Sequence, residues 1–355
     1  MTPRTVLHLL GSAARAGTAP ASMVADLARG LDPSRYRLLA WFTAGDGPLR
    51  GELESLGVST RVVRWAGGWR DAAGALRFAR AIRGARIDVV HQHYGGASMR
   101  LLARRLTGAP VLLHCHARTL AESARPEPAA LRTRGADLVV ANSRATAACV
   151  RGGAATVVYP GVRGPAALPE REPAEGVTLG YAGRLVALKG VAVLLRAFAR
   201  LAAERPEVRL EIVGEGPEEG ELRRLAAELG VAERVVFTGW SGDVAAAMRG
   251  WDIAVLPSLE EAFGLAAAEA MACGVPVVGS RVGGLPEVVV EGATGFLVAP
   301  GDPDALHARL RDLAADPALR RAMGAAGHAR AGACFTVPAF VRAMDGCYAS
   351  LPATG

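Results

Sequence analysis

Two α/β domains, each a parallel sheet flanked by helices and both facing one cleft, are what this sequence predicts. Three observations predict them. Short apolar runs alternate with helical patterns along the chain, as repeated βα units require. Residues 163–176 interrupt that alternation with proline, glycine and charge and no apolar periodicity, which reads as a linker. The length, 355 residues, suffices for two sizeable cores. The expected layout is an N-terminal domain at 1–162, the linker at 163–176, a second domain at 177–335 and a closing helix at 336–355 that crosses back to the first domain.

In the first half, Thr5 to Leu10 reads as a strand and Ala21 to Leu31 as a helix with Met23, Val24, Leu27 and Leu31 on its apolar face. The loop between them is a first βα turn and should face the ligand crevice. Strands follow at 36–42, 59–63 and 89–93. Arg77, Arg80 and Arg83 recur at three-residue spacing on a helix over 72–83, and Arg100, Arg104 and Arg105 sit on the next helix. These arginines read most simply as solvated helix faces. Together they also fit a basic surface for an anionic membrane or an anionic acceptor. The strand at 110–115 ends in His-Cys-His. Alternation puts His114 and His116 on one face, with His116 nearer the carboxyl end. His114 reads as a packing histidine. No third ligand stands at suitable spacing along the chain, so no metal site is expected.

In the second half, a strand at 177–182 runs into Gly-Arg-Leu-Val-Ala-Leu-Lys-Gly. Arg184 and Lys189 frame a tight turn before a helix over about 191–204 and supply two cations at a helix start, as a diphosphate requires. Of 41 basic residues, 40 are arginine and Lys189 is the one lysine, so a compact ammonium is used here alone. The longest ordered motif spans Trp251 to Glu287. Ile253 to Leu256 reads as a buried strand, Pro257-Ser258 ends it, and Gly264 opens a helix that Gly274 and Pro276 close. Glu261 precedes this helix and Glu269 lies within it, roughly 12 Å of helical rise away at most. The amides of Phe263, Gly264 and Leu265 stand at the helix N-terminus. Amides for an anion beside carboxylates for hydroxyls suit a sugar attached to a phosphate.

These stretches resemble glycosyltransferase family 4, whose members are retaining, nucleotide-sugar-dependent enzymes of the GT-B fold with two Rossmann-like domains. The resemblance rests on Gly-Arg-Leu-x-x-x-Lys-Gly and on Pro-Ser-x-x-Glu-x-Phe-Gly followed by Glu-Ala-Met-Ala-x-Gly-x-Pro-Val-Val. Ala262 stands where the family usually has glycine. The family's Gly-Gly pair in the first βα turn is replaced by Gly17-Thr18, so Gly17 is either a donor-phosphate contact or a turn glycine. The resemblance implies that Arg184 and Lys189 hold the diphosphate. It implies that Glu269 accepts from the ribose, that Glu261 accepts from a sugar hydroxyl and that His116 reaches the donor sugar. For His116, packing alone remains an equal reading.

Charge is divided unevenly. Residues 1–165 carry 23 basic and 10 acidic side chains, a net of +13, and residues 166–355 carry 18 and 24, a net of −6. Five cysteines without Cys-x-x-Cys spacing read as reduced thiols of a cytoplasmic protein, with a peripheral contact at the inner membrane face as a further expectation. No apolar run is long enough to span a bilayer. The function expected is transfer of a sugar from a nucleotide-diphosphate sugar, a UDP-sugar first, to the hydroxyl of a glycan, a glycolipid or a small molecule, with the basic first half favouring an anionic or lipid-linked acceptor. No metal or other cofactor and no nucleic-acid partner are expected. The alternatives are a GT-B scaffold that has lost turnover, an epimerase and a phosphorylase.

Overall fold

The computed structural model describes residues 2–12, 19–65, 70–116, 133–150, 153–168 and 176–353. The chain forms two units, Met1–Gly161 with Val337–Gly355 and Val162–Thr336.

The first unit holds β1 (Arg4–Ser12), α1 (Ala19–Gly30), β2 (Tyr36–Gly45), α2 (Pro48–Ser55), β3 (Ser59–Val62), α3 (Ala72–Arg83) and β4 (Val89–Gln92). It continues with α4 (Ala97–Thr107), β5 (Val111–Cys115), β6 (Leu138–Ala141), α5 (Arg144–Ala147) and β7 (Thr156–Val157). The strands pair in parallel in the order β3-β2-β1-β4-β5-β6-β7. Both faces are covered, so the central strands are buried on both sides, and the polar residues they carry, His8, His91, Gln92 and His114, are buried too. Val6 and Leu10 point to one core with Val24, Leu27 and Phe42, while Leu7 and Leu9 point to the other with Trp41, Phe78 and Met99.

The C-terminal helix (Val337–Ser350) completes this unit. Phe340, Met344 and Tyr348 enter the core beside Val6 and Leu10. Arg4 donates to the Tyr348 carbonyl at 2.8 Å, and the Tyr36 hydroxyl donates to Asp345 at 2.7 Å.

The second unit holds β8 (Val177–Ala182), α6 (Val191–Glu204), β9 (Val208–Val213), α7 (Glu219–Glu228), β10 (Val235–Gly239), α8 (Val244–Arg249) and β11 (Ile253–Leu256). It continues with α9 (Leu265–Ala272), β12 (Val277–Ser280), α10 (Leu285–Val288), β13 (Gly295–Val298), α11 (Pro303–Ala315) and α12 (Pro317–Cys334), so the C-terminal helix is α13. Its strands are also parallel, in the order β10-β9-β8-β11-β12-β13. Gly180 in β8 leaves room for the Trp251 ring, which any side chain there would strike. The Trp251 indole then reaches Glu211 at 2.6 Å.

Part of the expected linker belongs to this unit. Gly164 lies against the Ala272 backbone and Leu168 against Gly274, so these residues are packed against α9. In each sheet the order reverses once, between β1 and β4 and between β8 and β11. Ligands of open α/β sheets bind outside the carboxyl ends of the strands at such reversals.

Candidate functional site

At the β8/β11 reversal, the loops of the two strands are stitched together. The Leu259 amide donates to the Leu188 carbonyl at 2.8 Å. Gly190, at φ +66°, packs so closely on Pro257 that a Cβ there would overlap the Pro257 carbonyl oxygen. The loop after β9 joins them, with the Leu185 amide donating to the Glu215 carbonyl at 2.9 Å.

The stitching brings the lone lysine to the first glutamate of the long motif. Lys189 Nζ donates to Glu261 Oε2 at 2.8 Å, and the Ser258 hydroxyl reaches the same oxygen at 3.3 Å. The side chains of Lys189 and Glu261 are only 21% and 12% exposed, so this pair is sheltered from the screening that makes surface ion pairs weak. Arg184 lies on the same β8 loop with its side chain exposed, and its carbonyl accepts from the Tyr181 hydroxyl at 2.9 Å.

Gly264 precedes α9 at φ +100°, a left-handed conformation that favours glycine, and it abuts Leu285. The Gly264 and Leu265 amides have no acceptor among the described residues. They form part of the donor-rich end of the helix, where an anion is stabilised. Phe263 is buried edge-on against Phe335, 5.5 Å between ring centres. Glu269 makes no side-chain hydrogen bond among the described residues. Its side chain keeps partial access to solvent, yet protein atoms crowd the carboxyl, and the lost hydration pushes its pKa up to about 7. A half-ionised carboxyl without a partner is poised to accept hydrogen bonds from hydroxyls.

The β1/β4 reversal of the first unit is furnished differently. His8 of β1 pairs in register with His91 of β4. His93 follows β4, and His114 and His116 stand at the end of β5. All five rings share the sheet face that α13 covers. His8 Nδ1 lies 3.0 Å from His93 Nε2, and His93 Nδ1 lies 2.9 Å from His116 Nε2. His91 Nε2 lies 3.2 Å from His114 Nδ1, and His91 Nδ1 lies 2.7 Å from the Tyr348 hydroxyl. The His114 and His116 rings stack with centres 4.2 Å apart. Burial lowers the pKa of all five, to about 3 for His8 and His116, so the rings are neutral at pH 7.

Two expectations change here, and one is left untested. A third imidazole does stand beside His114 and His116. It is His93, contributed by the neighbouring strand, so spacing along the chain missed it. Arg100 is not on a solvated helix face. It is 1% exposed and donates to Gln92 Oε1 at 2.9 Å and to the Arg134 carbonyl at 2.8 Å. Gly17 lies outside the described residues. Ser258 as a partner of Glu261 and the histidines at 8, 91 and 93 were missed. Histidine on the same face of adjacent strand ends was the available signal.

Comparison with known proteins finds glycosyltransferases as relatives of this chain. The family model described as Glycosyl transferases group 1 matches residues 169–330, and that of Glycosyltransferase Family 4 matches residues 21–163. A D-inositol 3-phosphate glycosyltransferase of Streptomyces avermitilis is 40% identical over 293 residues, covering 70% of this chain and 62% of that relative, so the chain spans less than two thirds of it. One from Corynebacterium jeikeium is 32% identical over 370 residues, covering 88% of this chain and 87% of the relative. Among solved structures, Anabaena HepE in complex with UDP and glucose superposes with a TM-score of 0.82 at 24% identity, covering 98% of this chain and 100% of that one. The fold is that of the GT-B glycosyltransferases.

Proposed function

The chain belongs to glycosyltransferase family 4, and from that premise we propose that it transfers a sugar from a nucleotide-diphosphate sugar to a hydroxyl acceptor with retention of configuration. The observation that carries this reading is the Lys189–Glu261 pair at the β8/β11 reversal, beside the open amides of Gly264 and Leu265 and the unpartnered Glu269. The diphosphate takes Lys189, Arg184 and the α9 amides. Glu269 accepts from the ribose and Glu261 from a sugar hydroxyl near the anomeric carbon, with Phe263 as the packed floor beneath the α9 turn.

As the glycosidic bond to the diphosphate breaks, negative charge grows on the leaving phosphate. Lys189 and Arg184 bring two cations to that charge, and this electrostatic stabilisation is the largest catalytic contribution asked of the protein. Two cations and a helix N-terminus supply it without a metal, so transfer is expected to survive chelators.

UDP is the first donor base to test, since a structure of similar fold holds UDP and glucose. The relatives named for D-inositol 3-phosphate, together with the net +13 of residues 1–165, support a phosphorylated polyol as acceptor. That same charge supports contact with an anionic membrane face, which vesicle co-sedimentation at low salt would reveal. All five cysteines are free thiols, which supports a reducing compartment.

The test is a thermal-shift screen against UDP, GDP and ADP and their sugar conjugates, followed by donor turnover with and without inositol phosphate. One nucleotide should raise the melting temperature by mass action, and Lys189→Ala should abolish the shift. Binding without turnover would favour a scaffold. No nucleotide binding at all would overturn the proposal.

A further inference from the structure

The histidine cluster of the first unit has a hydrogen-bonding deficit that its own members cannot repair. His8, His93 and His116 form a series of three neutral imidazoles with two internal contacts. Each ring owns one proton. Whichever way those protons point, one end of the series is a bare N–H and the other a bare lone pair. The ends are His8 Nε2 and His116 Nδ1, and both are buried without a partner among the described residues. The series Tyr348–His91–His114 leaves His114 Nε2 in the same condition. Buried polar atoms in folded chains are nearly always paired, and three orphans in one cluster mark a place for something that takes lone pairs.

Two sets of three rings there bring one nitrogen each to within 4.8 Å of one another, namely His8, His91 and His93, and His93, His114 and His116. They share His93, so one ion at a time is the expected load. The outer set is the better host for two reasons. It contains two of the three orphan nitrogens, and His116 keeps partial access to solvent while His8, His91 and His93 are buried. It also comes with its own supporting shell. With His114 donating from Nδ1 to His91 and His91 donating on to the Tyr348 oxygen, Nε2 of His114 is a lone pair oriented by two further groups. Ligating histidines characteristically hold their second nitrogen in this way.

We infer that His93, His114 and His116 form a binding site for one borderline transition-metal dication, of which Zn2+ is the representative. Imidazole ligands suit zinc, copper, iron and nickel, whereas the oxygen ligands that magnesium and calcium demand are missing from the set. Zinc–nitrogen bonds of roughly 2.0–2.1 Å in a tetrahedron place ligand nitrogens about 3.4 Å apart. Nitrogens already within 4.8 Å of one another need only small side-chain adjustments to reach that spacing, and His93 gives up one of its ring contacts to do so. Three neutral rings bring no charge, so the ion's fourth position takes an anion or hydroxide from the solvent side, where His116 stands. The site lies wholly within the first unit and does not depend on the glycosyltransferase reading.

The test uses the full chain, stripped with a chelator and titrated with Zn2+ against a chromophoric competitor. Wild type should take up about one ion per chain. His114→Gln and His116→Gln should each weaken binding at least about 100-fold, and Tyr348→Phe by about tenfold. His8→Gln and the remote His328→Gln should leave it within about twofold. Uptake that survives His114→Gln and His116→Gln, or that falls with His8→Gln or His328→Gln instead, overturns the assignment, as does no uptake by wild type. Where a variant fails to fold, X-ray absorption of zinc-loaded wild type decides. Three imidazoles on the ion support the site, and sulfur or carboxylate ligation refutes it.

Discussion

The two sheets have the same strand order around their reversals, yet the reversals carry opposite chemistry. At β8/β11 the side chains are charged and hydroxyl-seeking, and they sit on loops beyond the strand ends. At β1/β4 they are five neutral rings, and most belong to the strands themselves. Loops can reshape around a ligand, and Lys189 can exchange Glu261 for a diphosphate, a second anion that keeps the ammonium paired. Rings rooted in strands cannot move far, so their polar atoms are satisfied by one another or remain unpaired. One topology thus supplies an adaptable charged site and a rigid neutral one.

The sharpest way to break the comparison is to remove the cation of the charged site. Lys189→Ala should lower kcat/KM for transfer by about 10²- to 10³-fold, the scale of losing one preorganised donor to a developing anion. Lys189→Arg should recover little, because a planar fork does not replace a compact ammonium in a closed turn. Steady-state kinetics with the nucleotide sugar identified by binding would show this. Near-normal turnover in Lys189→Ala would detach the pair from the chemistry.

The neutral reversal is probed with acid. Burial lowers the folded-state pKa of the histidines below the unfolded value of about 6.5, to about 3 for His8 and His116. Between those limits the unfolded chain binds more protons, so stability is full above pH 6.5 and is lost as pH falls toward 3. Each ring held neutral costs about 1.4 kcal/mol per pH unit in that window. Hydrogen exchange of metal-free protein should show β1, β4 and β5 losing protection between pH 6.5 and 5 before β8 and β11 do. Equal protection across that interval would mean that water reaches the rings.

The charged site was largely legible in the sequence because its parts are contiguous. Gly183 to Gly190 and Pro257 to Glu269 are single stretches, and glycine, proline and the lone lysine punctuate them. What stayed hidden was their junction, since nothing along the chain says that Gly190 rests on Pro257. The histidine cluster was hidden for a related reason. Its members come from three strands that are neighbours only through the sheet, and sequence spacing carries no information across strands. Alternation did place His114 and His116 on one face. Arg100 misled because arginine on an amphipathic helix is usually solvated, and only the fold shows Gln92 and the Arg134 carbonyl closing over it. The fold class was plain because βα alternation is local, whereas the stretch at 163–168 read as a linker although it packs on α9.

Glu269 sharpens the comparison with the opposite pH sign. Its folded pKa, near 7, exceeds the ordinary carboxylate value of 4.5, so the native state holds the proton more tightly. Stability is then full below pH 4.5 and is lost as pH rises to about 7. Glu269→Gln should raise the melting temperature at pH 8 and leave it unchanged at pH 4. The same variant should bind the nucleotide about tenfold more weakly, the worth of one hydrogen bond to a charged acceptor. A variant that binds normally would remove Glu269 from the ribose.

The smallest expected effect joins the C-terminal helix to the rings. The Tyr348 hydroxyl lies 2.7 Å from His91 Nδ1, fully buried, and its ring packs 5.7 Å from that of Tyr36. Phenylalanine preserves the ring and its packing but leaves His91 Nδ1 without a partner. The loss should be about 1–2 kcal/mol, the cost of one orphaned buried group, read as a shifted midpoint of urea unfolding at unchanged slope. The same substitution frees His91 to turn, which releases the hydrogen bond that orients His114. In wild type the effect of Tyr348 on the cluster is therefore transmitted through His91, and Tyr348→Phe combined with His91→Phe should cost less than the sum of the two. Additive losses would show that the tyrosine stabilises α13 alone and that the rings are held without it.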